Sequence, residues 1–206
     1  MDVTYLEFHV EEQSMEAALR TLLPRVLGEI GFDVFPYQGK FDLLRELPKR
    51  LKGQASWLPA DHRVVVIVDA DNDDCVELRT QLDEIAVDAQ LVVRAADEPL
   101  WQIANRISIE ELEAWYFGDW QAVRTAYPRV PDLSRKAAYR DPDAIRGGTW
   151  EAFERELQAA GYFRGGLQKI AAARAVAEHL VPTRNQSASF GKLWEVLSEV
   201  IDGGAT

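Results

Sequence analysis

The stretch Val64-Val65-Val66-Ile67-Val68-Asp69-Ala70-Asp71-Asn72-Asp73-Asp74-Cys75 decides how this chain is read. Its five leading apolar residues, mostly β-branched, lack the polar/apolar alternation of a half-exposed strand and read as a central strand covered on both faces. Acids follow at once, where such a strand emerges. In an open α/β sheet ligands bind beyond the carboxyl ends of the strands, so Asp69 and Asp71 stand at the functional edge. Two positions apart in an extended segment, they are expected to point to the same side. Converging carboxylates repel one another without a cation, and hard oxygen donors of this kind suit Mg²⁺ or Mn²⁺. The same letters also spell a polar turn and a helix N-cap, because Asp and Asn accept from the free N–H groups of a first helical turn. On this stretch alone both readings stay open.

Working outward, residues 4–10 (TYLEFHV) alternate as a strand, and Ala17, Ala18, Leu22, Val26 and Ile30 recur at helical spacing behind them. Ser14 is the expected N-cap of that helix, and Pro24 is expected to kink or divide it. Residues 33–37 read as a short strand and 41–53 as an amphipathic helix with a Gly stop. After the central strand come a helix over 75–89, a strand at 91–96 (LVVRAA), and from 106 a strand or strand end that passes into a helix rich in acids and aromatics. Strands alternating with helices predict an α/β, Rossmann-like core over residues 1–120, with a mainly parallel sheet and helices on both faces. Past Asp119 the chain turns dense in Pro, Gly and charge, then offers helical segments at 149–161, 167–180 and 189–201. Residues 121–206 are therefore read as a helical C-terminal region packed on the core, with a frayed end at 203–206.

The 206 residues are 47% hydrophobic and include six Trp, enough for a sizeable core. No run of about 18 apolar residues occurs, and the MDVTYLEFHVEE start carries no basic-then-apolar leader, so neither a membrane span nor a signal peptide is expected and the cytoplasm is the default compartment. The single Cys75 excludes an intramolecular disulfide, and His9, His62 and His179 lack ligand spacing. A net charge of −11 argues against holding nucleic acid by bulk electrostatics, although a metal reverses the field locally. No Walker-type phosphate loop is present, so any ATP hydrolysis belongs to a partner.

Glu11 after the first strand and Asp69-Ala70-Asp71 after the central one are the same device used twice. In this the chain resembles the Toprim superfamily of topoisomerases, primases, recombination proteins and nucleases of the overcoming-lysogenization-defect type. The likeness rests on Val10-Glu11-Glu12-Gln13-Ser14-Met15-Glu16 and Val68-Asp69-Ala70-Asp71, with Glu12 standing where many members have Gly. The strings Tyr37-Gln38-Gly39-Lys40, Ile109 to Asp119 (IEELEAWYFGD), Asp141-Pro142-Asp143-Ala144-Ile145 and Ser187-Ala188-Ser189-Phe190 further resemble landmarks of a bacterial Toprim-like family of unknown function. Its members are often encoded beside an AAA or ABC-type ATPase in arrangements suggestive of anti-phage defence.

The resemblance implies a Mg²⁺-dependent nuclease with an ATPase partner, acting on nucleic acid, expected to be DNA. Glu11, Asp69 and Asp71 would be catalytic metal ligands, with Glu11 open to acid/base work. Asp73, Glu111 and Glu113 are the further ligand candidates, with Glu16 a weaker one. As first-turn helical acids, Glu111 and Glu113 are equally explained by the helix dipole on a solvated face. Lys40, Lys169 and Lys192 are the candidate substrate contacts, and several other cations (Lys136, Arg140, Arg146, Arg164, Arg174, Arg184, with Arg135) cluster between 135 and 192. Trp115 and Tyr116 read as core, and Asp119 as a helix cap. The rival reading is a non-catalytic regulatory subunit gripping an ATPase. A third is phosphoryl chemistry on a small molecule. A homo-oligomer is compatible with each.

Overall fold

The computed structural model describes residues 2–71, 73–95, 100–133 and 136–203; Asn72, Ala96, Arg135 and 204–206 lie outside the described residues, while Gly203, expected to fray with the last three, ends a helix. The decisive stretch forms β3 (His62–Asp69), and Val64 to Val68 are all at most 1% exposed. It lies between β1 (Tyr5–Val10) and β4 (Ile103–Ser108), with β2 (Gly31–Pro36) outside β1, giving the order β2-β1-β3-β4 with every pairing parallel. The register sets Val10 beside Ile67 and Asp69 beside Ser108. The chain leaves β1 toward one edge and β3 toward the other, so the strand order reverses between them. That reversal opens a crevice at their carboxyl ends, where Glu11 and Asp69 fall.

Period-two alternation sends Val64, Val66 and Val68 to one face, against Leu43, Leu47 and Leu51 of α2 (Lys40–Ala55) and Leu78, Leu82 and Ala86 of α3 (Cys75–Asp88). Val65 and Ile67 face the other way with Leu6, Phe8 and Val10, against α1 (Gln13–Val26) and the later helices. Those helices are α4 (Glu113–Gly118), α5 (Trp120–Ala126), α6 (Thr149–Ala159), α7 (Lys169–Ala177) and α8 (Ala188–Gly203). α7 runs along α1 and α8 covers β4, so one hydrophobic cluster extends from Leu6 to Val200. The C-terminal helices and the sheet thus share a core. Arg25 fastens this seam by donating to the carbonyls of Ala177 at 2.8 Å and Leu180 at 3.1 Å. None of the described helices is long and apolar enough to cross a membrane.

Two of the sequence landmarks prove to be halves of one cap. Asp143 accepts from the hydroxyls of Ser187 (2.9 Å) and Ser189 (2.6 Å) and from the N–H groups of Ala188 and Ser189, satisfying donors at the start of α8 that have no partner within the helix. Asp119 is likewise a cap, as expected, accepting from the N–H of Ala122 at 3.3 Å. It also takes the N–H of Val181 and a bidentate Arg184.

Three local expectations are corrected. Glu12, not Ser14, is the N-cap residue of α1; Ser14 is already helical and turns its hydroxyl back to the Glu12 carboxylate. Pro24 does not divide α1, because it falls in the last turn, where its missing N–H costs only one bond before the helix ends at Val26. The described part of 91–96 is no strand: it makes a single bridge, Val93 to Ile103, while Arg94 is drawn to Glu199 at 2.7 Å and Val92 stays 40% exposed.

Candidate active site

Asp69 ends β3 with 7% of its surface exposed, and its N–H donates to Glu11 Oε2 at 3.2 Å. The carbonyl of Glu11 in turn accepts from Gly39 N–H at 3.0 Å, which folds the Tyr37–Lys40 turn over the end of β1. Gly39 has φ +95, a conformation that L side chains rarely adopt, and this is why a glycine sits there. The turn delivers Lys40, the first residue of α2, across the crevice. Its Nζ donates to Ala70 O (3.1 Å), Asp71 Oδ2 (2.8 Å) and Asp73 Oδ2 (2.7 Å).

Asp69 and Asp71 therefore do not share a side as an extended segment would require. The strand ends at Asp69, and Asp71 takes a left-handed backbone (φ +49) that breaks the alternation and turns its carboxylate to Lys40. Asp74, the last acid of the run, caps α3 through the N–H groups of Val76 (2.8 Å) and Glu77 (3.0 Å). The acidic run thus holds both an acid at the crevice and a helix cap.

The acids gather around Asp69. Burial pushes its carboxyl well above the usual carboxylate range, and Glu11, Glu113, Glu12 and Asp71 push in the same direction. Its Oδ1 is buried without a hydrogen-bond partner. Glu113, on the first turn of α4, is 3% exposed rather than on a solvated face, and burial raises it to about 7. Glu11 is raised by burial and by Asp71. Burial opposes the charge of Lys169, yet Glu113, Glu12, Glu111 and Asp69 outweigh it and hold the ammonium above its ordinary value. Lys169 Nζ also lies 5.4 Å from the centre of the Trp150 ring. The Tyr116 hydroxyl, buried and unpartnered, is pushed well up by burial and by Glu113, Glu12 and Asp69.

Two clefts open beside the cluster. One, of about 720 Å³, is lined by Asp71, Glu110, Glu111, Arg146, Gly147 and Trp150 among others. The second, of about 480 Å³, is lined by Glu12, Ser14, Gly39 and Lys169 among others. Lys169 and its Trp150 contact join the two linings.

The structure thus brings together Glu11, Asp69, Glu113 and Lys169, with Asp71 and Asp73 alongside but tied to Lys40. Glu111 lines the larger cleft while accepting from Thr149 Oγ1 (3.1 Å) and Trp150 N–H (3.0 Å), so it caps α6. Glu16 is held by Arg20 at 2.8 Å. Lys192 lies elsewhere: it is 66% exposed, pairs with Glu195 at 2.7 Å on α8, and its carbonyl accepts from Arg106 of the edge strand β4. Sequence reasoning missed the Tyr116 hydroxyl and Trp150, which join the site only through packing.

Carboxylate oxygens around a buried, unpartnered Asp69 Oδ1 fit a hard divalent cation in donor chemistry. Among the described residues no group of three or more acidic, His or Cys side chains is placed to hold a metal ion, with Asp71 and Asp73 held by Lys40 and Glu111 by α6.

Fold and site together define a Rossmann-like α/β protein with a buried carboxylate cluster at its topological switch point. Within that class the chain belongs to the DUF4276 family, a domain of unknown function whose model matches residues 10–198 and so takes in both the sheet and the C-terminal helices. No curated protein and no solved structure matches it.

Proposed function

We propose that this chain is a Mg²⁺- or Mn²⁺-dependent nuclease with a Toprim-type site. The observation that carries the reading is Asp69, whose buried Oδ1 lacks any partner while Glu11, Glu12 and Glu113 surround it with negative charge. Leaving a buried carboxylate oxygen unpaired among other acids costs several kcal/mol by order of magnitude, about the scale that a bound cation returns. Asp69 and Glu11 would hold the metal, joined by Asp71 and Asp73 if Lys40 gives way, with Glu113 and Glu111 as outer acids. Such an ion supplies Lewis-acid polarisation of a phosphodiester and a more acidic bound water.

The chain's own groups do the rest. Glu113, raised to about 7, exchanges a proton near neutrality and suits general acid/base work; Glu11, also raised, is the second candidate. Lys169 stays charged at the junction of the two clefts, where its ammonium can face a phosphate, and the Trp150 ring beneath it fixes its direction. Lys40 holds Asp71 and Asp73, which would join the metal's ligands only on leaving that ion pair. From the resemblance, the working setting is a cytoplasmic anti-phage module with an AAA or ABC-type ATPase partner.

One observation favours the non-catalytic alternative: Lys40 already neutralises Asp71 and Asp73, as a structural ion pair would. The experiment that separates the two is Mn²⁺-dependent hydrolysis of DNA, RNA and bis(4-nitrophenyl) phosphate by the wild type, Asp69→Asn and Glu11→Gln, with and without the ATPase. Activity lost in both folded variants supports the nuclease; an inert wild type under every condition supports the regulatory subunit.

A further inference from the structure

The larger cleft at the acids does not end there. Its lining residues Ala144, Ile145 and Arg146 also line a neighbouring cleft of about 230 Å³ with Tyr139 and Arg155. Tyr139 is in turn shared with a third cleft, of about 380 Å³, lined by Arg124, Arg140 and Arg184 beside Phe117 and Trp120. The three form one path from Asp71 and Trp150 across the C-terminal helices. Guanidinium groups recur along all of it.

The two smaller clefts, lined by five arginines and two acids, run against the chain's net charge of −11, while the acids of the path collect at its other end. Arg124, Arg140 and Arg146 are exposed and, among the described residues, make no ion pair, so their charge is open to a ligand. Of the acids on the path, Asp119 is engaged by Arg184 at 2.6 Å, Glu111 by the start of α6 and Asp71 by Lys40 at 2.8 Å, while Glu110 and Glu151 stand at the carboxylate end of the path. The aromatic groups are fixed in place as well. Tyr139 stacks on Phe117 at 4.9 Å, Phe117 stacks on Trp120 at 5.0 Å, and the Tyr139 hydroxyl is held by Arg155 at 3.2 Å.

We propose that these joined clefts are a track for single-stranded nucleic acid that leads into the carboxylate cluster. Arginines that follow a backbone, interleaved with rigid rings, are how sequence-tolerant single-strand binding is built. The clefts of about 720 and 380 Å³ are each large enough for a nucleotide-sized group, with the smaller one between them, whereas a stiff duplex cannot bend through three successive small depressions. The catalytic end of the track rests on the nuclease reading above; the arginine end stands on its own geometry.

The test is fluorescence anisotropy with the full chain in EDTA, so that binding is read without cleavage. The probes are labelled twelve-nucleotide oligothymidylate, oligouridylate and a duplex of the same length. The variant is Arg124→Gln/Arg140→Gln/Arg146→Gln, whose exposed, unpaired side chains should leave folding intact, as circular dichroism would check. One or both single strands should bind at least tenfold more tightly than duplex, and the variant should lose tenfold or more. Its salt slope should flatten by about 2, since each single-strand phosphate contact accounts for about 0.7. Absent strand binding, equal binding of duplex, or an unchanged variant overturns the track. Asp69→Asn and bis(4-nitrophenyl) phosphate keep the two readings apart. Diester hydrolysis by wild type without strand binding sinks the track alone; arginine-dependent binding with no hydrolysis of any substrate sinks the nuclease alone.

Discussion

Replacing Glu113 by Gln should make the metal-free protein more stable at neutral and alkaline pH. The carboxyl is buried, and burial lifts it from the ordinary 4.5 to about 7 despite the opposing pull of Lys169. Between those values the folded chain keeps a proton that the unfolded chain has lost, so stability falls as pH rises through the window. The difference of about 2.5 pH units corresponds to about 3 kcal/mol, fully expressed above pH of about 7 and absent below about 4. Glutamine has the shape of the protonated acid without its titration. In EDTA, urea unfolding at about pH 4 and about pH 8 should therefore show the wild type losing about 3 kcal/mol more than Glu113→Gln across the interval. Burial lowers the pKa of His9, whose titration works in the opposite direction, but it is common to both chains and cancels in the difference. Mn²⁺ should restore the wild type at the higher pH, because a cation bound only to the folded form adds stability by mass action. Parallel pH profiles, or a variant less stable than wild type at about pH 8, would refute the placement of Glu113 as a buried, proton-holding acid.

Lys40→Met should raise Mn²⁺ affinity about tenfold by calorimetric titration, since it frees Asp71 and Asp73 and removes a positive charge beside the ion; weaker binding would mean that Lys40 supports the ligand set instead. Asp143→Ala should cost about 2 kcal/mol in chemical unfolding by stripping the cap from α8, and equal midpoints would show the cap to be dispensable. Asp119→Ala should cost about 3 kcal/mol, because it leaves the Val181 N–H without its acceptor and strips the buried carboxylate from Arg184, which keeps only the His179 carbonyl; a loss below about 1 kcal/mol would count against that account.

Much of this protein was legible in order along the chain because the signals were local. The β-branched run 64–68 demanded a strand covered on both faces, and helical spacing placed the segments that cover it. The Glu11 and Asp69 positions followed from where strands end, a rule of chain direction that needs no contact map. Asp74 as a cap and Asp119 as a cap likewise depend on neighbours a few residues away, although the bond from Asp119 to Arg184 spans most of the C-terminal region.

What required the tertiary structure was everything decided by burial or by distant partners. Periodicity could not tell that Glu113 is buried against Lys169 while Glu111, two residues earlier, is spent on α6, since helix position alone gives both the same dipole benefit. Nor could an alternation rule foresee the left-handed turn at Asp71, which sends one acid of the pair to Lys40 and leaves the other unpartnered in the crevice. The arginine path is partly of the same kind: the sequence shows Arg140 and Arg146 in a run of cations, but that they share a set of adjoining clefts with Arg124 appears only when the chain is folded. Local order is set by short-range sterics and hydrophobic period, which a sequence carries openly; desolvation and Coulomb coupling depend on through-space distance, which only the folded chain defines.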